Sequence, residues 1–344
     1  MGSIPMRKGR KDQMQKKRLG KSEIEVSPLG FGCWAIGGPF WLDGLPDGWG
    51  EVDDNESIRA IQRALELGIN FFDTADVYGT GHSEEVIGRA LKGRRHEAVI
   101  ATKFGFTYDA ASRNVYTKVD LSPDYIRTAC EASLKRLATD YIDLYQIHPG
   151  DIPWEQLDSV IESLEELKQK GWIRAYGWST SNTEGAEAFA KRSSAVSIQH
   201  GLNVLIDDSA MIDLCERYQL SSINNAPLAM GLLSGKFNKA TQISSDDVRG
   251  SSHKWVIYFK DGKPKAEYLD ALDAVRDILT SENRSLVQGA LAWIWGRSGM
   301  TIPIPGLKTV KQVEEAAKAM EFGPLAPEQM QEIDVILRRG SVAG

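Results

Sequence analysis

Apolar runs alternate with amphipathic segments along most of this chain. The runs are continuously apolar, as strands buried in a parallel sheet are, and lie at residues 27–34, 69–73, 98–103, 141–148, 173–179, 196–200, 221–224 and 301–303. Apolar residues at helical spacing follow the runs, as Ile58, Ile61 and Leu65 follow the first. Eight such units, with no Pro-, Gly- or Ser-rich linker between them, predict a single (β/α)8 TIM barrel rather than a doubly wound sheet with a second domain.

Turn and cap residues set the expected boundaries of these units. Residues 17–26 are expected to form an N-terminal β-hairpin that turns at Gly20 and Lys21. Ser122 followed by Pro123 is typical of a helix start. The expected helices cover residues 53–68, 83–91, 122–137, 157–167, 184–192, 211–218, 269–279, 286–295, 310–320 and 327–337. The stretches 40–50, 105–120 and 227–268 are expected to be loops or irregular excursions.

Composition and charge narrow the range of functions expected for this chain. The chain has 344 residues, of which 42% are hydrophobic and 26% charged, and its formal net charge is −6. This mild acidity argues against nucleic acid as a partner, because phosphate binding normally needs a basic face. No apolar stretch approaches the ~20 residues of a membrane span, and the N-terminus lacks the apolar core of a signal peptide. We expect residues 1–16 to be a disordered basic leader and residues 17–344 to form one domain.

The cysteines and histidines favour no metal site. Cys33, Cys130 and Cys215 are few and widely spaced, which indicates reduced thiols and a cytoplasmic location. Cys130 and Cys215 fall on apolar helix faces, whereas Cys33 lies near the expected active face and is a candidate for reactivity. No HExxH motif and no histidine cluster with carboxylates occurs. No catalytic role is assigned to the remaining histidines, which are His82, His96, His200 and His253.

Polar residues with matching chemistry stand where successive apolar runs end. The run 69–73 ends in Asp73, with Tyr78 one short loop away, and the next two runs end in Lys103 and His148. In a (β/α)8 barrel the working residues sit at these C-terminal strand ends. An Asp–Lys pair could be a structural ion pair, but the added tyrosine and histidine favour an enzyme.

These residue types suit proton transfer to a carbonyl oxygen. A phenol titrates near pH 10 in water, and a nearby ammonium favours the phenolate. We therefore expect Lys103, held by Asp73, to lower the pKa of Tyr78. A neutral His148 would hydrogen-bond the same carbonyl oxygen.

Six motifs, taken in order, resemble the aldo-keto reductase family over about residues 17–337. They are FFDTADVYG (71–79), ATKF (101–104), IDLYQIH (142–148), GWSTSN (177–182), PLAMGLLSGK (227–236) and IPGLK (304–308). The resemblance implies a (β/α)8 fold and hydride transfer between NADP(H) and a small-molecule carbonyl or alcohol. It also implies Tyr78 as the general acid/base, with Asp73, Lys103 and His148 completing a catalytic tetrad.

The resemblance also implies which residues bind the cofactor. Ser179, Asn182 and Gln199 match positions that hydrogen-bond the carboxamide, and residues 227–236 match a loop around the pyrophosphate. Lys308 and Thr309 match the 2′-phosphate site, which favours NADP(H) over NAD(H), and Gln312 and Glu315 match positions facing the adenine. The full expected set is Trp34, Asp73, Ser179, Asn182, Gln199, Asn225, Pro227, Leu228, Gly231, Ser234, Lys236, Gly306, Lys308, Thr309, Gln312 and Glu315.

Three positions depart from the family pattern. Asn224-Asn225-Ala226 stands where relatives commonly have a tyrosine that stacks on the nicotinamide. Trp178 replaces a usually small aliphatic residue and is a candidate to supply that stacking instead. Ala316 replaces the usual asparagine after the adenine-site glutamate.

Tryptophans divide into pocket and packing candidates. We expect the substrate pocket to be aromatic, with walls from Trp34, Trp41, Trp49 and Trp255, because aromatic side chains line ligand clefts. The residues assigned to packing are Trp154, Trp172, Trp293 and Trp295.

Two other functions compete with a carbonyl reductase. One is an NADP(H)-binding regulatory subunit or cofactor sensor with little turnover, since potassium-channel β subunits resemble this fold and retain the tetrad. The other is a Schiff-base enzyme with Lys103 as nucleophile. The sequence predicts neither the substrate nor the oligomeric state.

Overall fold

The computed structural model describes residues 14–339. Its strands are β1 Lys17–Arg18, β2 Glu25–Val26, β3 Gly30–Gly32, β4 Trp41–Leu42, β5 Leu45–Pro46, β6 Phe71–Asp73, β7 Val99–Phe104, β8 Phe106–Asp109, β9 Asn114–Val119, β10 Ile142–Ile147, β11 Ile173–Ser179, β12 Ser197–Gly201, β13 Ser221–Asn225, β14 Phe259–Lys260, β15 Lys263–Pro264 and β16 Thr301–Pro303. Its α-helices are α1 Asp54–Glu66, α2 His82–Ala90, α3 Pro123–Arg136, α4 Leu157–Gln169, α5 Thr183–Arg192, α6 Ser209–Tyr218, α7 Ala266–Leu279, α8 Leu286–Arg297, α9 Val310–Phe322 and α10 Pro327–Ile336. Of the predicted leader, only residues 14–16 lie within this range.

Eight parallel strands form the central sheet, in the spatial order β3, β6, β7, β10, β11, β12, β13 and β16. Beyond β16, Gly32 pairs with Gly306, and its amide donates to the Pro305 carbonyl at 2.8 Å. A Cβ at Gly32 would lie 2.7 Å from the Ile304 carbonyl oxygen, so this close approach requires glycine. The sheet therefore closes into the predicted (β/α)8 barrel.

Two apolar layers hold the barrel together. Its interior is filled by buried strand residues such as Phe71, Leu144 and Ile302, and the β1–β2 hairpin adds Leu19 and Val26 to the same cluster. The opposite strand faces pack against the helices in larger clusters. Each strand side chain therefore faces either the barrel axis or the helical layer, by the alternation of a β-strand.

Local capping explains several helix boundaries. Asp53 accepts a hydrogen bond from the Asn55 amide at the start of α1, and Ser122 accepts one from the Tyr125 amide at the start of α3. The Ser122 cap was predicted, and Asp53 is the residue at which the first helix was expected to begin. The expected start of the second helix at Ser83 is off by one, because α2 begins at His82 after left-handed Gly81.

All three expected loops contain strands, beginning with residues 40–50, which form the antiparallel β4–β5 hairpin. Residues 105–120 form the antiparallel β8–β9 hairpin, which joins β4 and β5 in a separate four-stranded sheet. The excursion 227–268 contains the β14–β15 hairpin and the start of α7. Such short, half-exposed strands carry no apolar run, because they bury only one face against a neighbour.

Burial corrects one tryptophan prediction and supports the packing of the cysteines. Trp154 is 50% exposed and so is not a core residue, whereas Trp293 and Trp295 are buried. Cys33, Cys130 and Cys215 are all buried and unpaired. Within residues 14–339, no helix is long and apolar enough to cross a membrane.

Candidate active site

The four tetrad residues meet at the C-terminal end of the barrel. Asp73 ends β6, Lys103 lies near the end of the adjacent β7, and His148 directly follows β10. Tyr78 stands in the turn between β6 and α2. Parallel neighbours place these ends at one edge of the sheet, which is why residues distant in sequence come together.

Lys103 is the centre of the site. Its buried ammonium donates to Asp73 Oδ1 at 2.6 Å, to the Thr74 carbonyl at 2.8 Å and to the Tyr78 hydroxyl at 3.2 Å. These contacts use the three N–H donors of an ammonium. Because this lysine is fully engaged and Asp73 and Tyr78 raise its pKa against the opposing effect of burial, it lacks the free amine that Schiff-base chemistry needs.

Two glutamines hold the other oxygen of Asp73. Gln199 Nε2 donates to Asp73 Oδ2 at 2.7 Å, and Gln146 Nε2 donates to it at 3.0 Å. Sequence reasoning assigned Gln199 to the cofactor carboxamide and missed Gln146. The missed signal is that Gln146 lies two residues before His148 on the same strand, and thus on the same face.

Burial, rather than Lys103, dominates the titration of Tyr78. Burial raises the pKa of Tyr78, and Lys103 opposes this while Asp73 and Asp47 reinforce it. Lys103 thus acts in the predicted direction, but burial outweighs it and the net pKa of Tyr78 lies above its ordinary value. The phenol remains protonated at neutral pH, as a proton donor must be.

His148 lies beside Tyr78 and has the low pKa of a neutral imidazole. Burial and the neighbouring Lys103 hold the pKa of His148 well below its usual range. Its ring packs edge-on to Tyr78 at 5.9 Å and to Phe106 at 5.2 Å between centroids. Its Nδ1 is buried and has no hydrogen-bond partner within residues 14–339.

An aromatic wall covers the tetrad. Trp34 stacks on Tyr78 with ring centroids 5.9 Å apart, and Trp49 and Trp255 contact Trp34 at 5.2 and 5.7 Å. The structure thus brings three of the four predicted pocket tryptophans together. Trp41 makes no such ring contact and is 37% exposed on β4.

A cluster of cations flanks this wall. Lys236, Arg249 and Lys308 are close enough that Arg249 lowers the pKa of both lysines, after the larger effect of burial. Asp247 is the carboxylate paired with Arg249, at 2.6 Å, and Lys308 donates to the Trp49 carbonyl at 2.8 Å. This excess of positive charge suits phosphate groups. Arg249, in the irregular excursion, was not predicted.

The predicted adenine-side residues lie at the start of α9. Thr309 and Gln312 form a capping box, in which Gln312 also accepts from the Lys308 amide at 2.7 Å. Glu56 accepts from the Val310 amide at 2.9 Å. Glu315 lies one turn further along α9, where its backbone carbonyl accepts from Gln288. Ala316 is buried.

The predicted carboxamide residues differ in their placement. Ser179 and Gln199 are register partners on β11 and β12, and Asn225 ends β13 next to Gly201. Among the described residues, the side chains of Ser179 and Asn225 have no hydrogen-bond partner. Asn182 instead caps α5 by accepting from the Gly185 amide at 2.9 Å, and it donates to Asp151 at 2.8 Å. Its role toward a cofactor remains a prediction without support from this placement.

The loop predicted to surround a pyrophosphate is tightly wound. Ala226, Ala229 and Met230 have positive φ values of 48°, 48° and 55°, which side chains rarely adopt. Such outliers cluster at ligand-binding segments. The other predicted residues of this region are Pro227 and Leu228 before the turn, Gly231 with a φ of 91°, Ser234 bonded to the Gly231 carbonyl, and Gly306 paired with Gly32.

Trp178 and Cys33 do not take the roles proposed for them. Trp178 is buried in the helical layer against Phe189, with its indole N–H donating to the Pro149 carbonyl at 2.7 Å, so it cannot stack in the mouth. Burial raises the pKa of the Cys33 thiol well above its usual range, which disfavours the reactive thiolate. Within residues 14–339, no group of His, Cys, Asp and Glu could hold a metal ion.

The sequence and the fold match those of known proteins. The model of the aldo/keto reductase family matches residues 28–338. The glycerol dehydrogenase AKR11B4 from Gluconobacter oxydans is 32% identical, with a TM-score of 0.78 over 96% of this chain and 97% of that one. The NADP(+) aldo-keto reductase yakc of Schizosaccharomyces pombe is 30% identical over 86% of this chain and 84% of its own. The NADH-specific methylglyoxal reductase of Escherichia coli is 30% identical over 90% of this chain and 94% of its own. This chain therefore belongs to the aldo/keto reductase family.

Proposed function

We propose that this chain is an NADPH-dependent oxidoreductase that interconverts an aldehyde or ketone and an alcohol, with Tyr78 as general acid/base. The observation that carries the proposal is the Lys103 ammonium, which joins buried Asp73 to the Tyr78 hydroxyl at the barrel mouth. When bound, the nicotinamide supplies the hydride that reaches the carbonyl carbon. Residues of this chain then protonate the carbonyl oxygen and hydrogen-bond to it.

Each residue has one task in this scheme. Tyr78, protonated at neutral pH, gives its proton to the carbonyl oxygen as the alcohol forms. Neutral His148 donates a hydrogen bond to the same oxygen. Lys103 stabilises the phenolate that remains, while Asp73 compensates the buried ammonium. In the alcohol-oxidising direction the phenolate takes the proton back.

The cation cluster supports NADP(H) as the coenzyme. Lys236, Arg249 and Lys308 offer more positive charge than Asp247 neutralises, and phosphate oxygens are the natural partners of such a group. Ser179 and Asn225 have free polar groups for an amide. Since one relative is named for NADP(+) and another as NADH-specific, the preference for the 2′-phosphate must be measured.

The test is coenzyme oxidation, followed by ultraviolet absorbance, with a panel of aldehydes and ketones. Wild type should turn over faster with NADPH than with NADH, and Tyr78→Phe should lose on the order of 10²–10⁴ in rate. Tyr116→Phe, which alters an exposed tyrosine on β9, is the matched control. Tight NADPH binding without turnover would instead favour the regulatory-subunit alternative.

Two further proposals concern the whole chain. The buried, unpaired cysteines support a reducing, cytoplasmic location. The barrel and its helices, described over residues 17–339, support our proposal that residues 17–344 form one domain.

A further inference from the structure

Asp47 and His253 form a polar pair inside the aromatic wall. The Asp47 carboxylate lies 3.3 Å from His253 Nε2, and the two side chains are only 13% and 7% exposed. Asp47 comes from the β5 segment and His253 from the excursion before β14. No part of the proton transfer described above uses either of them.

Several contacts place this pair beside the reacting centre. The Asp47 carbonyl accepts from the indole N–H of Trp34 at 3.1 Å, and Trp34 stacks on Tyr78. The Asp47 carboxylate is near enough to influence the titration of the Tyr78 hydroxyl. His253 stacks on Trp255 with centroids 5.4 Å apart, and Trp255 also contacts Trp34.

The pair has unused hydrogen-bonding capacity. His253 Nε2 is within hydrogen-bond distance of the Pro46 carbonyl, at 3.2 Å, and it is the nitrogen that lies 3.3 Å from Asp47 Oδ1. Because its single N–H is used by Pro46, the buried Asp47 Oδ1 has no hydrogen-bond partner among residues 14–339. A buried polar atom without a partner costs free energy that a ligand can recover. Burial raises the pKa of Asp47 to about 8. At neutral pH the carboxyl is therefore mostly protonated, and it can both donate and accept a hydrogen bond.

We propose that Asp47, with His253, selects carbonyl substrates that carry a hydroxyl group away from the reacting carbon. Trp34, Trp49 and Trp255 cover the carbon skeleton, and the Asp47 carboxyl binds the hydroxyl. This assignment rests on the proposed reductase function and adds a specificity determinant to it. A bare alkyl chain of the same size would leave the buried carboxyl unsatisfied, and such sites discriminate strongly against the analogue that lacks the hydroxyl.

Matched ketone pairs test the assignment. Hydroxyacetone is compared with 2-butanone, 4-hydroxy-2-butanone with 2-pentanone, and 5-hydroxy-2-pentanone with 2-hexanone, because each pair exchanges a hydroxyl for a methyl at constant size. The measured quantity is the ratio of kcat/KM for the hydroxylated ketone to that for its partner, with NADPH. Wild type should favour the hydroxylated member of at least one pair. Asp47→Leu should lower that ratio by on the order of tenfold or more, mainly through KM.

Other variants separate this role from a structural one. Asp47→Asn keeps a donor and an acceptor and should retain most of the preference. Glu51→Leu changes an exposed carboxylate in the same loop and should leave the ratio at the wild-type value. If Asp47→Leu fails to fold, His253→Phe, which keeps the stacking on Trp255, must reduce the preference instead.

The outcomes distinguish the two proposals. Turnover of the ketones with equal ratios in wild type and Asp47→Leu would overturn the role of Asp47 while leaving the reductase function intact. If wild type turned over none of these ketones nor any carbonyl of the wider panel, both proposals would fall.

Discussion

Two buried chains of hydrogen bonds in this protein end in a hydroxyl group. At the mouth, Asp73, Lys103 and Tyr78 are linked as described above. In the barrel wall, Asp208 Oδ2 lies 3.1 Å from His200 Nδ1, and His200 Nε2 lies 2.7 Å from Ser222 Oγ. The second chain has the residue order of a hydrolase triad.

The two chains of hydrogen bonds differ in how far solvent and ligands can reach them. Ser222 and the His200 side chain are fully buried, and Ser222 also accepts from Asn224 at 2.8 Å. Tyr78 and His148 keep partial exposure beneath the aromatic wall. Strand alternation produces the difference, because Gln199 and Ile223 face the barrel axis while their neighbours His200 and Ser222 face the helices. A chain of hydrogen bonds that ends in a hydroxyl group is therefore accessible to a ligand at one face of the strands and inaccessible at the other.

The largest effect is expected from Lys103→Met. It removes the tyrosine's charged partner and should lower the reduction rate by on the order of 10³ or more. It also leaves Asp73 buried without its cation, which should cost about 3–5 kcal/mol of unfolding free energy. Denaturant unfolding and steady-state kinetics measure the two effects. The double variant Asp73→Asn/Lys103→Met should regain stability but no activity, and regained activity would contradict the assigned role of Lys103.

The pH profile of reduction is the next test. The reaction needs Tyr78 protonated, and the pKa of Tyr78 is raised above its ordinary value near 10. With a ketone such as 2-pentanone, which has no hydroxyl group for Asp47 to bind, the rate should therefore stay level through neutral pH and fall about tenfold per pH unit above that pKa. Because the pKa of His148 is held low, no step near pH 6.5 should appear. An inflection there that disappears in His148→Gln would show that His148 titrates in the working enzyme.

Gln146→Leu should have a smaller effect at the mouth. It removes one of the two amide donors to Asp73 Oδ2 while Gln199 remains. We expect about a tenfold loss of kcat and a loss of about 1.5 kcal/mol of unfolding free energy, the lower end of the range for a hydrogen bond to a charged group. Coenzyme affinity should not change. A raised Kd for NADPH with normal kcat would instead place Gln146 at the cofactor.

The smallest effect on activity is expected in the barrel wall. Ser222→Ala removes the acceptor of Asn224 and the partner of His200, which should cost about 1–3 kcal/mol of unfolding free energy. Because this chain of hydrogen bonds ends inside the packed wall, the kcat and KM of the variant should match those of wild type. A large loss of activity at unchanged stability would show that this chain of hydrogen bonds affects the residues at the barrel mouth.

Much of the fold and of the tetrad could be predicted from local pattern. The continuous apolar runs predict buried parallel strands, and caps such as Asp53 and Ser122 predict helix starts, because both depend on residues near one another in sequence. Asp73, Lys103 and His148 were found because each ends a run. The β8–β9 hairpin was missed, since its strands are stabilised by pairing with β4 rather than by their own apolarity.

The sequence by itself determined the barrel, the order of its strands and the residue types at the strand ends, since these follow from periodicity and short-range chemistry. Only the tertiary structure decided which partners those residues meet. Asp47, His253 and Arg249 come from stretches without a regular pattern, and Asp47 and His253 are over 200 positions apart. The protonation of Asp47 and His253 depends on burial and on neighbours brought together by the closed barrel, and it cannot be read from spacing along the chain.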